Sequence, residues 1–169
     1  MLFALPFVKL CFDNCGFFVL SCDREERSYG GERMPMLSYG EIKSAVGERL
    51  ARAGLSVEVF PVAPGPICTE GYYYEIHGPV YVYAYTERGE HTVICRTRDV
   101  DEFYYRIIKD IVVYKATRYE VENRVPGQDT RRLWMKKAEE WMGKIDPGFG
   151  EKLKREFAEI LEEYPFTDG

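Results

Sequence analysis

The stretch Tyr72–Tyr85 reads YYYEIHGPVYVYAY and constrains the fold more than any other part of the chain. β-Branched and aromatic residues flank Gly78–Pro79 on both sides, a pattern that favours two strands joined by a tight turn. Side chains alternate along a strand, so Tyr81, Tyr83 and Tyr85 share one face and Val80, Val82 and Ala84 the other. Glu87–Arg88–Gly89–Glu90 supplies the next turn, and His91–Arg96 returns as a further strand. A short strand is also expected over Leu55–Val62, ended by the Pro- and Gly-rich loop Pro61–Pro66. Together these predict an antiparallel β-meander of about four strands.

Helical periodicity brackets the strands. Ser38 and Glu41 have capping-box spacing, and Ile42, Val46, Leu50 and Ala53 recur as a helical stripe that Gly54 stops. Asp99 and Glu102 repeat the capping spacing ahead of a long helix to about Arg124. Its expected buried face is Phe103, Ile107, Ile111 and Tyr114, widened by Ile108 and Val112. Val125–Gln128 breaks the chain through Pro126 and Gly127. Asp129 then caps a helix with the stripe Leu133, Trp134, Ala138, Trp141, Met142 and Ile145. Asp146–Pro147 opens the last helix, with Phe149, Leu153, Phe157, Ile160 and Leu161 on its apolar side and an end at Tyr164–Pro165. The order α-β-β-β-β-α-α-α is segregated, which predicts an α+β fold with helices packed on one face of the sheet.

A chain of 169 residues suffices for one domain with its own core. The sequence divides into an N-terminal extension, residues 1–35, and a single α+β domain, residues 36–169. The extension is apolar, but Lys9, Pro6 and Asp13–Asn14 interrupt it, and no small-residue cleavage site follows. Its apolar runs are shorter than the roughly 20 residues a membrane span needs. Gly30–Gly31–Glu32–Arg33 before Met34 matches what a purine-rich ribosome-binding stretch would encode. The expectation is therefore either a misassigned start or a β-rich arm packed on the sheet.

Net charge is −5 and the pI about 5.2, which argues against general affinity for nucleic acid or an anionic membrane. Residues 145–169 hold 3 basic and 7 acidic groups, so −4 of the net −5 sits in the last 25 positions, which include the acidic terminal helix. Its Glu159, Glu162 and Glu163 are either a solvated face or a docking face for a basic partner. The five cysteines, Cys11, Cys15, Cys22, Cys68 and Cys95, include no C-x-x-C pair and no common zinc spacing. Free, mostly buried thiols in a reducing cytoplasm are expected, with no metal and no cofactor. Gly30–Gly31 and Pro64–Gly65–Pro66 lack the lysine and the strand-to-helix setting of a phosphate cradle.

Chemistry-bearing candidates are few. His77 and His91 both sit beside turns, without a nucleophile or metal signature around them. The most organised polar set is Glu120, Arg124, Asp129, Arg131 and Arg132 around the break between two helices. Glu120 and Arg124 share a helix face. Arg131 and Arg132 lie in a helix first turn, where the dipole opposes cations, so a carboxylate must compensate; Glu87 or Glu120 is the expected one. The set reads either as a fold-stabilising ion-pair network, the favoured reading, or as a partner-binding site. Tyr81 and Tyr83 are interface candidates, because tyrosine suits protein interfaces, although sheet-core packing accounts for half of the tyrosines.

Several segments, taken in order, resemble the immunity protein 63 family of bacterial polymorphic-toxin antidotes. They are Met36–Leu37–Ser38 with Glu41–Ile42–Lys43, Tyr85–Thr86–Glu87–Arg88–Gly89, Tyr119–Glu120–Val121–Glu122–Asn123–Arg124, Gln128–Asp129–Thr130–Arg131–Arg132 and Tyr164–Pro165–Phe166. The resemblance covers roughly Met36 to Asp168, and the tyrosine-rich hairpin around Gly78–Pro79 departs from the family pattern. It implies a cytoplasmic, non-enzymatic protein, a monomer or weak dimer, that binds a cognate toxin domain and blocks it by steric occlusion or clamping. The alternative is a small hydrolase-like enzyme using His77 or His91 with nearby carboxylates.

Overall fold

The Ser38–Glu41 capping box forms as the spacing predicts. Glu41 N–H donates to Ser38 Oγ at 3.3 Å, and Ser38 N–H donates back to the Glu41 carboxylate at 2.7 Å. Two of the amides that a helix start leaves unpaired are thereby satisfied. The helix they open, α1, spans Tyr39–Ala51 and buries Ile42, Val46 and Leu50. In this computed structural model residues 37–168 are described; the expected N-terminal extension, residues 1–35, lies outside them, as do Cys11, Cys15 and Cys22.

Four strands follow: β1 (Val62–Pro64), β2 (Gly71–His77), β3 (Val80–Glu87) and β4 (Glu90–Thr97), in the spatial order β1-β2-β3-β4. β2, β3 and β4 form the expected antiparallel meander, with Tyr74 opposite Tyr83 and Tyr83 opposite Cys95. Two turns set it. Gly78 takes φ 60 ahead of Pro79, and Arg88 and Gly89 take φ 53 and 84, the paired positive values of a two-residue hairpin loop.

β1 corrects the prediction twice. It begins at Val62 where the strand was expected to end, and it pairs with β2 in parallel, so the sheet is mixed. Pro61, Pro64 and Pro66 carry no amide hydrogen to extend an antiparallel ladder. Gly65, at φ 106, lets the chain turn back, and its N–H donates to Tyr74 O at 2.8 Å. Gly71, at φ 156, then starts β2 alongside Val62 in the same direction.

Three helices complete the order: α2 (Val100–Glu122), α3 (Thr130–Ile145) and α4 (Pro147–Glu163). Asp99 caps α2 by accepting from Asp101 N–H at 2.9 Å, but Glu102 does not close a capping box; it turns to Arg106 and Lys152. Asp146 closes α3 and caps α4, accepting from Gly148 and Phe149 N–H, with Pro147 in the first turn. The sheet face bearing Tyr74, Tyr81 and Tyr83 packs on the helices. Tyr81 stacks on Phe103 of α2 at 5.1 Å and Tyr74 meets the same ring edge-on. The opposite face is buried as well, at Tyr73, Val82, Ala84 and Thr86.

Tyr114 departs from the expected stripe of α2: it is 56% exposed, and the buried line runs on through Val112, Ala116 and Glu120. The buried row steps by four residues, Ile108, Val112, Ala116 and Glu120, which carries it about 40° further around the helix at each step and away from Tyr114. On α3, Met135 is buried while Trp134 and Trp141 lie at the core margin. Cys68 is exposed, contrary to expectation, and Cys95 is half-buried.

Candidate functional site

The expected polar set resolves into two separate groups. At the start of α3 the Asp129 carboxylate caps the helix through Arg131 N–H at 2.9 Å and grips the Arg131 guanidinium, with Nη2 at 2.6 Å. The same guanidinium donates to Tyr164 O and Pro165 O, both at 2.8 Å. Thr167 N–H donates to Asp129 Oδ2 at 2.9 Å, and Asp129 N–H donates to Asp168 Oδ1 at 3.0 Å. Arg132 reaches both oxygens of Asp168, at 2.9 and 2.8 Å, above the ring of Phe166. Residues 164–168 are thus clamped to the N-terminus of α3.

The clamp corrects the expected partner of the arginines. Neither Glu87 nor Glu120 compensates Arg131 and Arg132; Asp129 and Asp168 do. The Arg131 guanidinium bonded to it holds the Asp129 carboxyl far below the usual carboxylate range. Its Arg132 bond likewise lowers Asp168. Charge-assisted, forked pairs of this kind offset the unfavourable position of two cations at a helix start.

The second group is Glu120 with Arg124. Glu120 is 3% exposed, yet it accepts two bonds from Arg124, at 2.8 and 3.1 Å, whose own side chain is largely in solvent. Glu87 and Arg88 sit exposed at the β3–β4 turn. Glu159, Glu162 and Glu163 are exposed on α4. Tyr81 and Tyr83, by contrast, are 6% and 1% exposed and face the helices, so their rings offer no free surface.

The histidines lie apart. His77 is exposed, with Nε2 3.5 Å from Glu75, and His91 Nδ1 lies 3.1 Å from Thr86 Oγ1 with its ring edge-on to Tyr73. Among the described residues no group of three or more His, Cys, Asp or Glu is placed to hold a metal ion.

Two features escaped the sequence reading. Tyr83 donates its hydroxyl to Asp110 at 2.9 Å, inside the contact between sheet and α2. Burial pushes the Asp110 carboxyl up, against the lowering effect of that bond. Between α2 and α4, Glu102 joins Arg106 and Lys152, and Lys109 bonds Glu156 at 2.7 Å. Only the (i, i+4) pair Glu102–Arg106 had a local signal; the rest join residues from different helices.

Residues 77–159 match the model of the family described as immunity protein 63. Over that stretch, just under half of its length, the chain is similar to the immunity protein 63 family. The match runs from the end of β2 through β3, β4, α2 and α3 and into α4. It holds most of the described sheet–helix body, including Glu87, Arg88, Glu120, Arg124, Asp129, Arg131, Arg132 and Glu159. Glu162, Glu163 and the clamped tail lie beyond it. No curated protein and no solved structure matches the chain. No helix among the described residues is long and apolar enough to cross a membrane.

Proposed function

We propose that this chain is an immunity protein that binds a cognate bacterial toxin domain and neutralises it by covering the surface the toxin needs. The family match over residues 77–159 carries the reading. The Asp129–Arg131 and Arg132–Asp168 pairs engage each other within the chain, which supports a structural role for those groups and leaves partner binding to other surfaces. The protein acts in the cytoplasm, as a monomer or weak dimer, without a cofactor and without nucleic acid as a ligand. Its acidic α4 face, Glu159, Glu162 and Glu163, steers a basic toxin domain during encounter.

Calorimetry between the full chain and the purified C-terminal domain of the exported protein encoded by the neighbouring gene tests this. One-to-one binding at nanomolar affinity or tighter is expected, with loss of toxin activity at the same ratio. A folded pair that does not associate would overturn it.

A further inference from the structure

On the outer side of α2, a cleft of about 410 Å³ opens toward α3 between Tyr114, Lys115, Arg118, Tyr119 and Trp141, with Glu122 on its wall. Its floor is aromatic and held in place. Tyr119 and Trp141 meet edge-on at 6.1 Å, and Lys137 sits over both rings, at 5.0 and 5.2 Å, while bonded to Glu140. Its rim is cationic: among the described residues neither Lys115 nor Arg118 enters an ion pair, although Glu122 lies four residues beyond Arg118. Tyr114 and Val121 stand 56% and 54% exposed. Helical geometry aligns Tyr114, Arg118 and Val121 within one side of α2, next to the cleft.

We infer that this cleft anchors an acidic segment of the toxin domain carrying one apolar side chain, an inference that rests on the immunity reading. The apolar group enters over Tyr119 and Trp141, and Lys115 and Arg118 take the neighbouring carboxylates. Volume and chemistry agree, since a cleft at the small end of ligand-site sizes holds one or two side chains. An aromatic floor with an arginine at its edge is also the composition of interface hot spots. A polyanionic nucleic acid fits less well, because Glu122 lines the wall and the whole chain carries −5. A second copy would have to insert its own acidic face, a head-to-tail contact that does not close on itself.

The acidic face of α4 and this cleft act on different rate constants. Exposed charge acts at a distance on association, whereas a desolvated anchor acts on dissociation. The test is surface plasmon resonance with the full chain and the same purified toxin domain at physiological salt. Variants are Tyr114→Ala, Lys115→Ala/Arg118→Ala and Arg118→Lys, each checked for an unchanged melting temperature.

Tyr114→Ala and the double variant are expected to raise the dissociation rate about tenfold or more, with association within about threefold. Arg118→Lys should fall between them and the parent, because it keeps charge without the fork. Dissociation rates close to the parent's in every variant would overturn the anchor while leaving the immunity reading intact. An effect confined to association would also overturn it. Failure of the parent chain to bind would overturn the immunity reading and the anchor with it. Two further results would overturn the assigned occupant: Arg118-dependent self-association in sedimentation, or Arg118-dependent binding of a labelled single-stranded RNA 20-mer.

Discussion

Arg132 grips Asp168 through two roughly parallel bonds of 2.9 and 2.8 Å, joining the first turn of α3 to a residue beyond the end of α4. With Asp129 and Arg131 beside it, this pair fixes the tail that leaves α4. A helix start that carries two arginines is offset by its own cap, Asp129, for Arg131 and by the distant Asp168 for Arg132.

The clamp makes stability depend on acid. Asp129 and Asp168 both have carboxyls held below their unfolded values. Their contribution is therefore complete above the ordinary carboxylate range, near pH 4, and disappears as pH falls through the lowered folded values. Asp129→Asn removes the Arg131 charge partner but keeps a capping oxygen; Asp129→Ala removes both. The expected cost is larger for alanine, with about 0.5–2 kcal/mol of it from the cap. Chemical denaturation at pH 7 and pH 3 checks this. The gap between parent and Asp129→Asn should narrow at pH 3, and a constant gap would rule out the charged pair as its source.

Gly143 and Gly150 offer an asymmetric pair. A Cβ built on Gly150 would lie 2.7 Å from Gly143 Cα and 2.9 Å from its N, both backbone atoms, so α3 and α4 would have to separate. A Cβ on Gly143 meets nothing within 4 Å. Gly150→Ala is therefore expected to destabilise by about 1–3 kcal/mol through overpacking. Gly143→Ala should instead gain up to about 1 kcal/mol from helix propensity. Thermal melts of the two variants that move in the same direction would contradict the close approach of these helices.

Tyr83→Phe isolates the buried hydroxyl–carboxylate bond. Asp110 is already raised by burial, so its ionised form weakens the fold above its folded value, and acid relieves that weakness. Removing the Tyr83 hydroxyl raises it further. The variant should lose about 1–3 kcal/mol at pH 7.5, the cost of an unsatisfied buried acceptor. The loss should shrink as pH is lowered toward 5. Equal losses at both values would mean that Asp110 does not lean on Tyr83.

Substituting both histidines separates binding from catalysis. His77 is exposed beside Glu75, and His91 is engaged with Thr86 and Tyr73. His77→Ala/His91→Ala should protect toxin-expressing cells as well as the parent chain does. Loss of protection with folding retained would favour the hydrolase-like alternative.

What the sequence disclosed was local. The Ser38–Glu41 box, the Gly78–Pro79 and Arg88–Gly89 turns and the Asp146–Pro147 start each depend on residues a few positions apart, and each formed. The direction of β1 was hidden, because it depends on the path of the 65–70 loop and not on the strand's own residues. Tyr114 looked buried because it lies three turns from Phe103 on nearly the same side of α2, whereas the later half of the helix buries the row through Val112, Ala116 and Glu120. Of the candidate site, the residue types, the Glu120–Arg124 pair and the Asp129 cap were legible, and the partners of Arg131 and Arg132 were not. Asp168 gave no sign that it answers Arg132, since 36 residues separate them. The aromatic cleft was equally silent, built as it is from α2 and α3 together.

The three glutamates of α4 furnish the last expectation. Glu159→Lys/Glu162→Lys/Glu163→Lys turns the net charge of the chain from −5 to +1, and all three side chains are exposed, so the fold should hold. Charges in water are screened beyond about 8 Å at physiological salt, so their effect falls on encounter more than on the docked complex. Association with a basic toxin domain should slow by about tenfold at low salt, converging on the parent rate as salt is raised. Dissociation should barely change, which sets this variant apart from changes in the α2 cleft. Stopped-flow mixing over a range of salt concentrations reads both. A parent and a variant with the same association rate at every salt would place the steering charge on another face of the molecule.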